Sequence, residues 1–476
     1  MRRAFNPQPE FDVLPIERIV IPQSRDELPP VLAGLQWLWS QTELRTEIFA
    51  RLSARVLADK NSTGRPGLEL WRILVLGTVR LALDADWDRL EHIANHDRLV
   101  REILGVGSMD RQLFHRRTLR DNVALLDAPF LQEINALIAK AGRSLFSPQA
   151  PIEARVDSYV LETDVHFPTD FNLLWDAGRK SLDLVAGFQK RGFQLTGWRK
   201  WADWRTRLKA AERSSSRAGG GGGKNKEQRV KELSAEYLEI AREVAEKVRG
   251  TQAEIVALCT DPMDLVRLEP LKYFLRMLDK HIDLLDRRVL QGETIPTSEK
   301  VQSLFEPHTQ WISKGKRNVE LGRRFLVATD QHQLILAYKV PAGVDVDESI
   351  PMADRLLGLY GQDAVGSISY DKGFTRASSK ELIEIYIPLV VMPKRGPKTE
   401  AQAQEERSPK YTRTRRAHSA VESAINALEH HGLNRCLDVG EEAFERYAGY
   451  GVMAYNLHVI GRRLLKADAE ADLLAA

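Results

Sequence analysis

Ile152-Glu153-Ala154-Arg155-Val156-Asp157-Ser158-Tyr159-Val160 is the stretch on which the fold turns. It breaks a long helical pattern with an alternation of period two, the signature of a strand. Alternation places Arg155, Asp157 and Tyr159 on one face. The strand therefore carries a carboxylate into the body of a sheet.

Upstream, residues 1–148 read as helical. Pro29 to Ser40, Thr42 to Leu57, Leu68 to Leu83 and Ala128 to Ala141 carry apolar residues at i, i+3, i+4 spacing. Shorter helices are expected over Trp87 to Asn95 and Arg98 to Leu104. Asp127-Ala128-Pro129 is a helix start, with a capping residue and a proline in the first turn. Bundles of short helices serve both as DNA-binding modules and as plain scaffolds, and no recognition helix stands out.

Downstream, helices return over Phe171 to Gln189 and Trp198 to Ser214. A Ser- and Gly-rich tether, 214–224, follows, with Gly219 to Gly223 at its centre. Long helices are expected at Gln228 to Thr251 and Pro262 to Gln291. Strands reappear at Val319 to Thr329 and Gln333 to Val340, joined at Asp330-Gln331-His332. A helix then runs to about Tyr360, and an apolar strand from Ala364 to Tyr370 ends at Asp371. Ser378 to Ile385 reads as helix, Ile387 to Met392 as strand, and Arg415 to His431 as a helix after a basic loop.

The composition, 43% apolar and 28% charged over 476 residues, fits a globular chain of two or three domains. Two cysteines, Cys259 and Cys436, imply no disulfide framework and fit a reducing compartment. The N-terminus lacks the apolar core of a secretory signal, and no apolar run is long enough to span a membrane. Net charge is only +3, but Lys394 to Arg416 holds eight Lys or Arg against three Glu. Cysteine and histidine spacings give no zinc site, and no Walker loop or nucleophile elbow is present.

Three carboxylates stand out by the elements they occupy. Asp157 is in the first strand, Asp371 ends a later one, and Glu422 in Ala420-Val421-Glu422-Ser423-Ala424-Ile425 lies in a basic helix. Singly, each has an ordinary explanation as a turn residue or a surface ion pair. Together, in this order, they suit two Mg²⁺ (or Mn²⁺) ions about 4 Å apart on a phosphodiester, since such ions take carboxylate, water and phosphate oxygens. On one continuous helix, Arg415, His418, Asn426 and Glu429 would lie along the Glu422 face, with Arg415 and His418 near DNA phosphates. Asp164, His166 and Asp170 are rival ligands, less suited because histidine is a poor ligand for Mg²⁺.

Several blocks resemble insertion-sequence transposases of the DDE type, ISNCY group. They are Val156 to Asp170, Val319-Glu320-Leu321-Gly322, and Ser369-Tyr370-Asp371-Lys372-Gly373-Phe374. To these add the run from Arg416 through Glu422 to Gly432-Leu433-Asn434-Arg435-Cys436, and Gly451 to Leu457. The resemblance implies an RNase H-like α/β catalytic domain from residues 149–170 and 300–465. It would carry a helical insertion at 171–299, an all-α DNA-binding domain at 1–148 and a tail at 466–476. It implies catalysis by Asp157, Asp371 and Glu422 and metal-dependent hydrolysis at terminal inverted repeats. Strand transfer by the freed 3′-hydroxyl would follow. It further implies double-stranded DNA as partner, a dimer or larger assembly on DNA, and a bacterial cytoplasmic location. Lys372, Lys394, Arg395, Arg415, Arg416, His418 and Arg435 are the expected DNA contacts. The family commonly has Tyr, Arg and Lys at −7, −4 and +7 from the glutamate; here those places hold Arg415, His418 and Glu429. A silent DNA-binding protein of the same fold, or a nuclease without strand transfer, stays open at this level.

Overall fold

Capping chemistry sets several helix starts in the first part of the chain. α1 (Leu28–Ser40) opens on Pro29 and Pro30, and α2 (Thr42–Leu57) follows after a single residue. α3 (Leu70–Ala82) is buried almost throughout. α4 (Trp87–His96) and α5 (Arg98–Ile103) begin where the side chains of Asp86 and Asp97 accept the N–H groups of Arg89 and Val100. α6 (Arg116–Val123) was not evident from periodicity, and α7 (Ala128–Arg143) starts at the expected Asp127 cap. Each such cap contributes about 1 kcal/mol. The computed structural model describes residues 2–5, 12–57, 67–146, 150–198, 200–222, 224–314, 318–394 and 396–475, with backbone alone at 314 and 471–475.

The alternating run becomes β1 (Ile152–Thr163). The chain then forms α8 (Asp170–Lys190), α9 (Trp201–Gly220), α10 (Lys226–Leu258) and α11 (Pro262–Leu285). It returns as β2 (Gln310–Lys314), β3 (Asn318–Thr329) and β4 (Ile335–Lys339). α12 (Ser349–Tyr360), β5 (Val365–Tyr370), α13 (Ala377–Glu384) and β6 (Val390–Val391) follow. α14 (Glu400–Arg407), α15 (Pro409–His418), α16 (Ala420–Leu428), β7 (Arg435–Cys436) and α17 (Glu441–Ala475) complete the chain. No described helix is long and apolar enough to cross a membrane.

The fold is mixed α/β. Its sheet has seven strands among the described residues, in the order β2-β3-β1-β5-β6, with β4 on β3 and β7 on β1. β3 runs antiparallel to β1, pairing Arg155 with Thr329 and Glu162 with Gly322. β5 runs parallel to β1, pairing Arg155 with Ser369 and Val156 with Tyr370, and β6 extends β5 in the same sense. Ile152, Ala154 and Val156 face a core shared with α12 and α13, while Tyr159 and Leu161 face the other way, into the core of the N-terminal helices, α16 and α17.

The chain divides into two compact units, Met1–Asp164 with Ile312–Ala476, and Val165–Trp311. The second extends beyond the 171–299 expected for a helical insertion and has its own core, built from α8 to α11. The separate N-terminal domain and the C-terminal tail expected from sequence are not found. α17 packs along α1, α3 and α7, so the described N-terminal helices α1 to α7 share one core with the sheet. The buried Arg80 of α3 also pairs with Asp438, just before α17, at 2.7 Å. The Ser-rich start of the expected tether is helical too. Ser215 is buried and donates its hydroxyl to the Leu233 carbonyl at 3.0 Å, so packing on α10 carries α9 through to Gly220.

Candidate functional site

A notch in the sheet edge holds the site. β5 stops at Tyr370, opposite Val156, and β7 joins β1 only at Glu162. From Asp157 to Leu161 that edge of β1 has no strand partner among the described residues. Asp157 is the first residue of the notch, and Asp371 is the first residue past β5. The parallel register therefore sets the two aspartates side by side.

Asp371 precedes a short 3-10 turn, Lys372–Phe374, but its side chain caps nothing and is exposed. Glu422 lies in the first turn of α16, a helix that buries Val421, Ala424, Ile425 and Leu428 and packs against β1 and β3. Glu422 stays exposed, and no ion pair or hydrogen bond engages its carboxylate among the described residues. The ordinary explanations for both residues, a helix cap and a surface ion pair, thus do not apply here.

Burial pushes the Asp157 carboxyl up to about 6, against the pull of the Ser158 N–H, which donates to it at 2.7 Å. Repulsion from Asp371, Asp345 and Glu422 raises it further. These carboxylates therefore lie close enough to share one electrostatic field. Asp345 was missed in the sequence. It accepts the Ser158 hydroxyl at 2.8 Å and lies 3.9 Å from Arg324. Its only signal was the Asp345-Val346-Asp347 spacing before a helix, which reads as capping.

The basic residues divide into engaged and free. Lys372 and Arg416 are exposed and without side-chain partners among the described residues. Arg415 lies 3.6 Å from Glu406, the Lys394 ammonium donates to Gln402 at 2.8 Å, and Arg435 pairs with Glu162 at 3.1 Å and Asp164 at 3.8 Å. Arg395 lies outside the described residues. The expected basic loop is largely helical, as α14 and α15, with a capping box at Thr399 and Gln402.

The single helix expected from Arg415 to His431 is broken at Ser419, whose hydroxyl donates to the Arg416 carbonyl at 3.0 Å. Arg415 and His418 therefore belong to α15, not to the helix of Glu422. His418 turns toward the sheet, with its Nδ1 3.0 Å from the Ser369 hydroxyl. Burial lowers its pKa, opposed by the nearby Asp371. Beyond Leu428 the chain makes a π turn, Glu429–Leu433, with Gly432 at φ 84°.

The rival carboxylates are engaged elsewhere. Asp176 holds His166 at 2.7 Å, and Asp170 pairs with Arg288. Asp330 is fully buried, pairs with Arg143 at 2.6 Å, and accepts the N–H groups of His332 and Leu334. It organises the β3–β4 hairpin.

Among the described residues no three His, Cys, Asp or Glu side chains already form a closed metal-holding group. The donor chemistry at the notch nevertheless fits a hard divalent cation, because it is all oxygen and its mutual repulsion is what such a cation relieves. No known protein family, curated protein or solved structure matches the chain.

Proposed function

We propose that this chain is a DDE transposase whose sheet is an RNase H-like catalytic domain. The observation that carries the reading is the parallel register of β1 and β5, which sets Asp157 beside Asp371, together with the packing of α16, which bears Glu422, on β1. The order of elements supports it: strand with Asp157, the helical block, three strands, helix, a strand followed at once by Asp371, helix, strand, then three helices of which the third carries Glu422.

In this reading Asp157, Asp371 and Glu422 hold Mg²⁺ or Mn²⁺, two ions per site. Bound there, the ions would supply positive charge to the reacting phosphate and favour ionisation of the attacking oxygen. Lys372 and Arg416, the free cations, hold backbone phosphates. Arg415, Lys394 and Arg435 would exchange their present carboxylate or amide partners for DNA. His418, held by Ser369, positions the chain beside Asp371. The substrate is double-stranded DNA at the element's inverted repeats, and synapsis of two ends calls for a dimer or larger assembly.

The test is cleavage and strand transfer on DNA from the ends flanking the coding region, with Mg²⁺. Wild type nicks and joins, while Asp157→Asn, Asp371→Asn and Glu422→Gln each lose at least about a hundredfold in rate, the scale of losing one transition-state stabilising group. A variant that cuts as well as wild type removes that residue from the site. A second reading is a DNA-binding protein of the same fold without catalysis. It prevails if wild type binds the ends and never nicks them. Nicking without joining would instead indicate a nuclease.

A further inference from the structure

The unit Val165–Trp311 contains a cavity of about 450 Å³ whose wall includes His281. That side chain is 1% exposed, and neither ring nitrogen has a hydrogen-bond partner among the described residues. Burial, aided by Lys280, holds the imidazole down to about 4, so it is neutral near pH 7. A neutral imidazole offers one donor and one acceptor. Leaving both unmet in a buried place is costly, and such groups call for a partner.

Two large aromatic rings stand at the same cavity. Phe167 is 58% exposed and Trp311 43%, with ring centroids 5.4 Å apart in an edge-on arrangement. Lys300 lies in the wall beside the Asp170–Arg288 pair, and its own ammonium has no ion-pair partner among the described residues. The ligand suited to this wall is flat, able to stack, and carries both a donor and an acceptor on its edge.

A second cavity, of about 760 Å³, shares Thr169, Asp170 and Arg288 with the first. Lys224 and Lys226 line it and are exposed without ion-pair partners among the described residues, while Lys231 is 3.3 Å from Glu227. Its charge suits an anion, with Asp170 already neutralised by Arg288 and Glu227 by Lys231. Aromatic stacking beside a cationic groove is how proteins hold unpaired nucleotides.

We propose that these adjoining cavities bind one nucleotide, with its base against Phe167, Trp311 and His281 and its phosphate toward Lys224 and Lys226. The nucleotide is either an unpaired residue of a DNA strand or a free mononucleotide. The site lies wholly within one unit and does not depend on the carboxylate notch.

The test is a fluorescence titration of the full-length chain without divalent metal, using a short single-stranded oligodeoxynucleotide carrying a fluorescent purine analogue. The same strand in a full duplex, and free dAMP as competitor, complete the set. The single strand should bind with quenching of the analogue and more tightly than the duplex. Trp311→Ala should weaken it about tenfold, the scale of one lost stacking partner, and Trp311→Phe should restore it. His281→Phe, which keeps the ring and removes both nitrogens, should weaken binding while leaving the melting temperature equal or higher. A purely structural histidine would give the reverse. Lys224→Ala with Lys226→Ala should flatten the salt dependence. Competition by dAMP at concentrations like those of the oligonucleotide identifies a free nucleotide as the source, and failure to compete identifies a strand. If neither probe binds, or if the three substitutions leave binding unchanged, the proposal is wrong. Asp157→Asn should bind like wild type, so failure of the catalytic reading would leave this site standing.

Discussion

Asp157 sits in a field of its own kind. Its carboxyl rises from the ordinary 3.8 to about 6, through burial first and then through Asp371, Asp345 and Glu422. Between those two values the folded chain binds more protons than the unfolded one, so this residue lowers stability as pH climbs. Above pH 6 the loss is about 3 kcal/mol, since the carboxyl moves from 3.8 to about 6. Metal-free Asp157→Asn should therefore match wild type near pH 4, gain on it through pH 6, and stay more stable at pH 8. Saturating Mg²⁺ should then raise the melting temperature of wild type and not that of the variant. Thermal melts in EDTA and in Mg²⁺ decide it. An asparagine variant that is less stable at pH 8 without metal would show that the repulsion is already relieved. Asp157 and Asp371 were legible in the sequence because strand alternation and a strand end fix their places. Asp345 was not, since its approach to Ser158 depends on how a turn folds back.

Elements were legible where periodicity is local and opaque where packing decides. The ends of β3, β5 and α8 fall within a residue or so of the pattern. The break at Ser419 was invisible, because Arg415 to His431 keeps helical spacing across it. The same limit applies to Asn456, which read only as part of a family-like block. In the structure it is fully buried in α17. Its amide donates to Asn135 of α7 at 2.8 Å and to the Ile335 carbonyl at 2.9 Å, while its oxygen accepts the Ile335 N–H at 2.8 Å. One side chain thus ties two helices to the edge strand β4. Asn456→Leu removes these bonds and strands the Asn135 oxygen and the Ile335 N–H without partners. Unmet groups of this kind cost about 1–3 kcal/mol each. The variant should lose about 2–4 kcal/mol in urea unfolding, and a loss under 1 kcal/mol would mean that water enters and replaces the amide.

At the scale of the molecule, the joining of the N-terminal helices to the sheet was the largest departure from the sequence reading. A single chain's pattern shows which face of a helix is apolar but not what covers it. Two glycines explain how α17 reaches the first helix. A Cβ on Gly461 would lie 1.8 Å from the Pro30 carbonyl oxygen, and one on Gly34 2.1 Å from that of Leu457. Both obstacles are backbone, so α1 and α17 cross at a distance that admits no side chain. Gly461→Ala must push the helices apart, at about 3 kcal/mol or somewhat more, the upper range for overpacking. Gly358 of α12 has nothing within 4 Å of its Cβ position, so Gly358→Ala should instead stabilise by about 0.5–1 kcal/mol through helix propensity. Because α1, α17, Tyr159 and Leu161 belong to one core, the Gly461→Ala loss should not stay local. Hydrogen exchange should show the amides of β1 around Asp157 losing protection together with those of α1. The α8–α11 unit, with its separate core, should keep its own. If α1 alone loosens while β1 keeps its protection, the N-terminal helices are an independent folding unit after all, and the sheet does not depend on them.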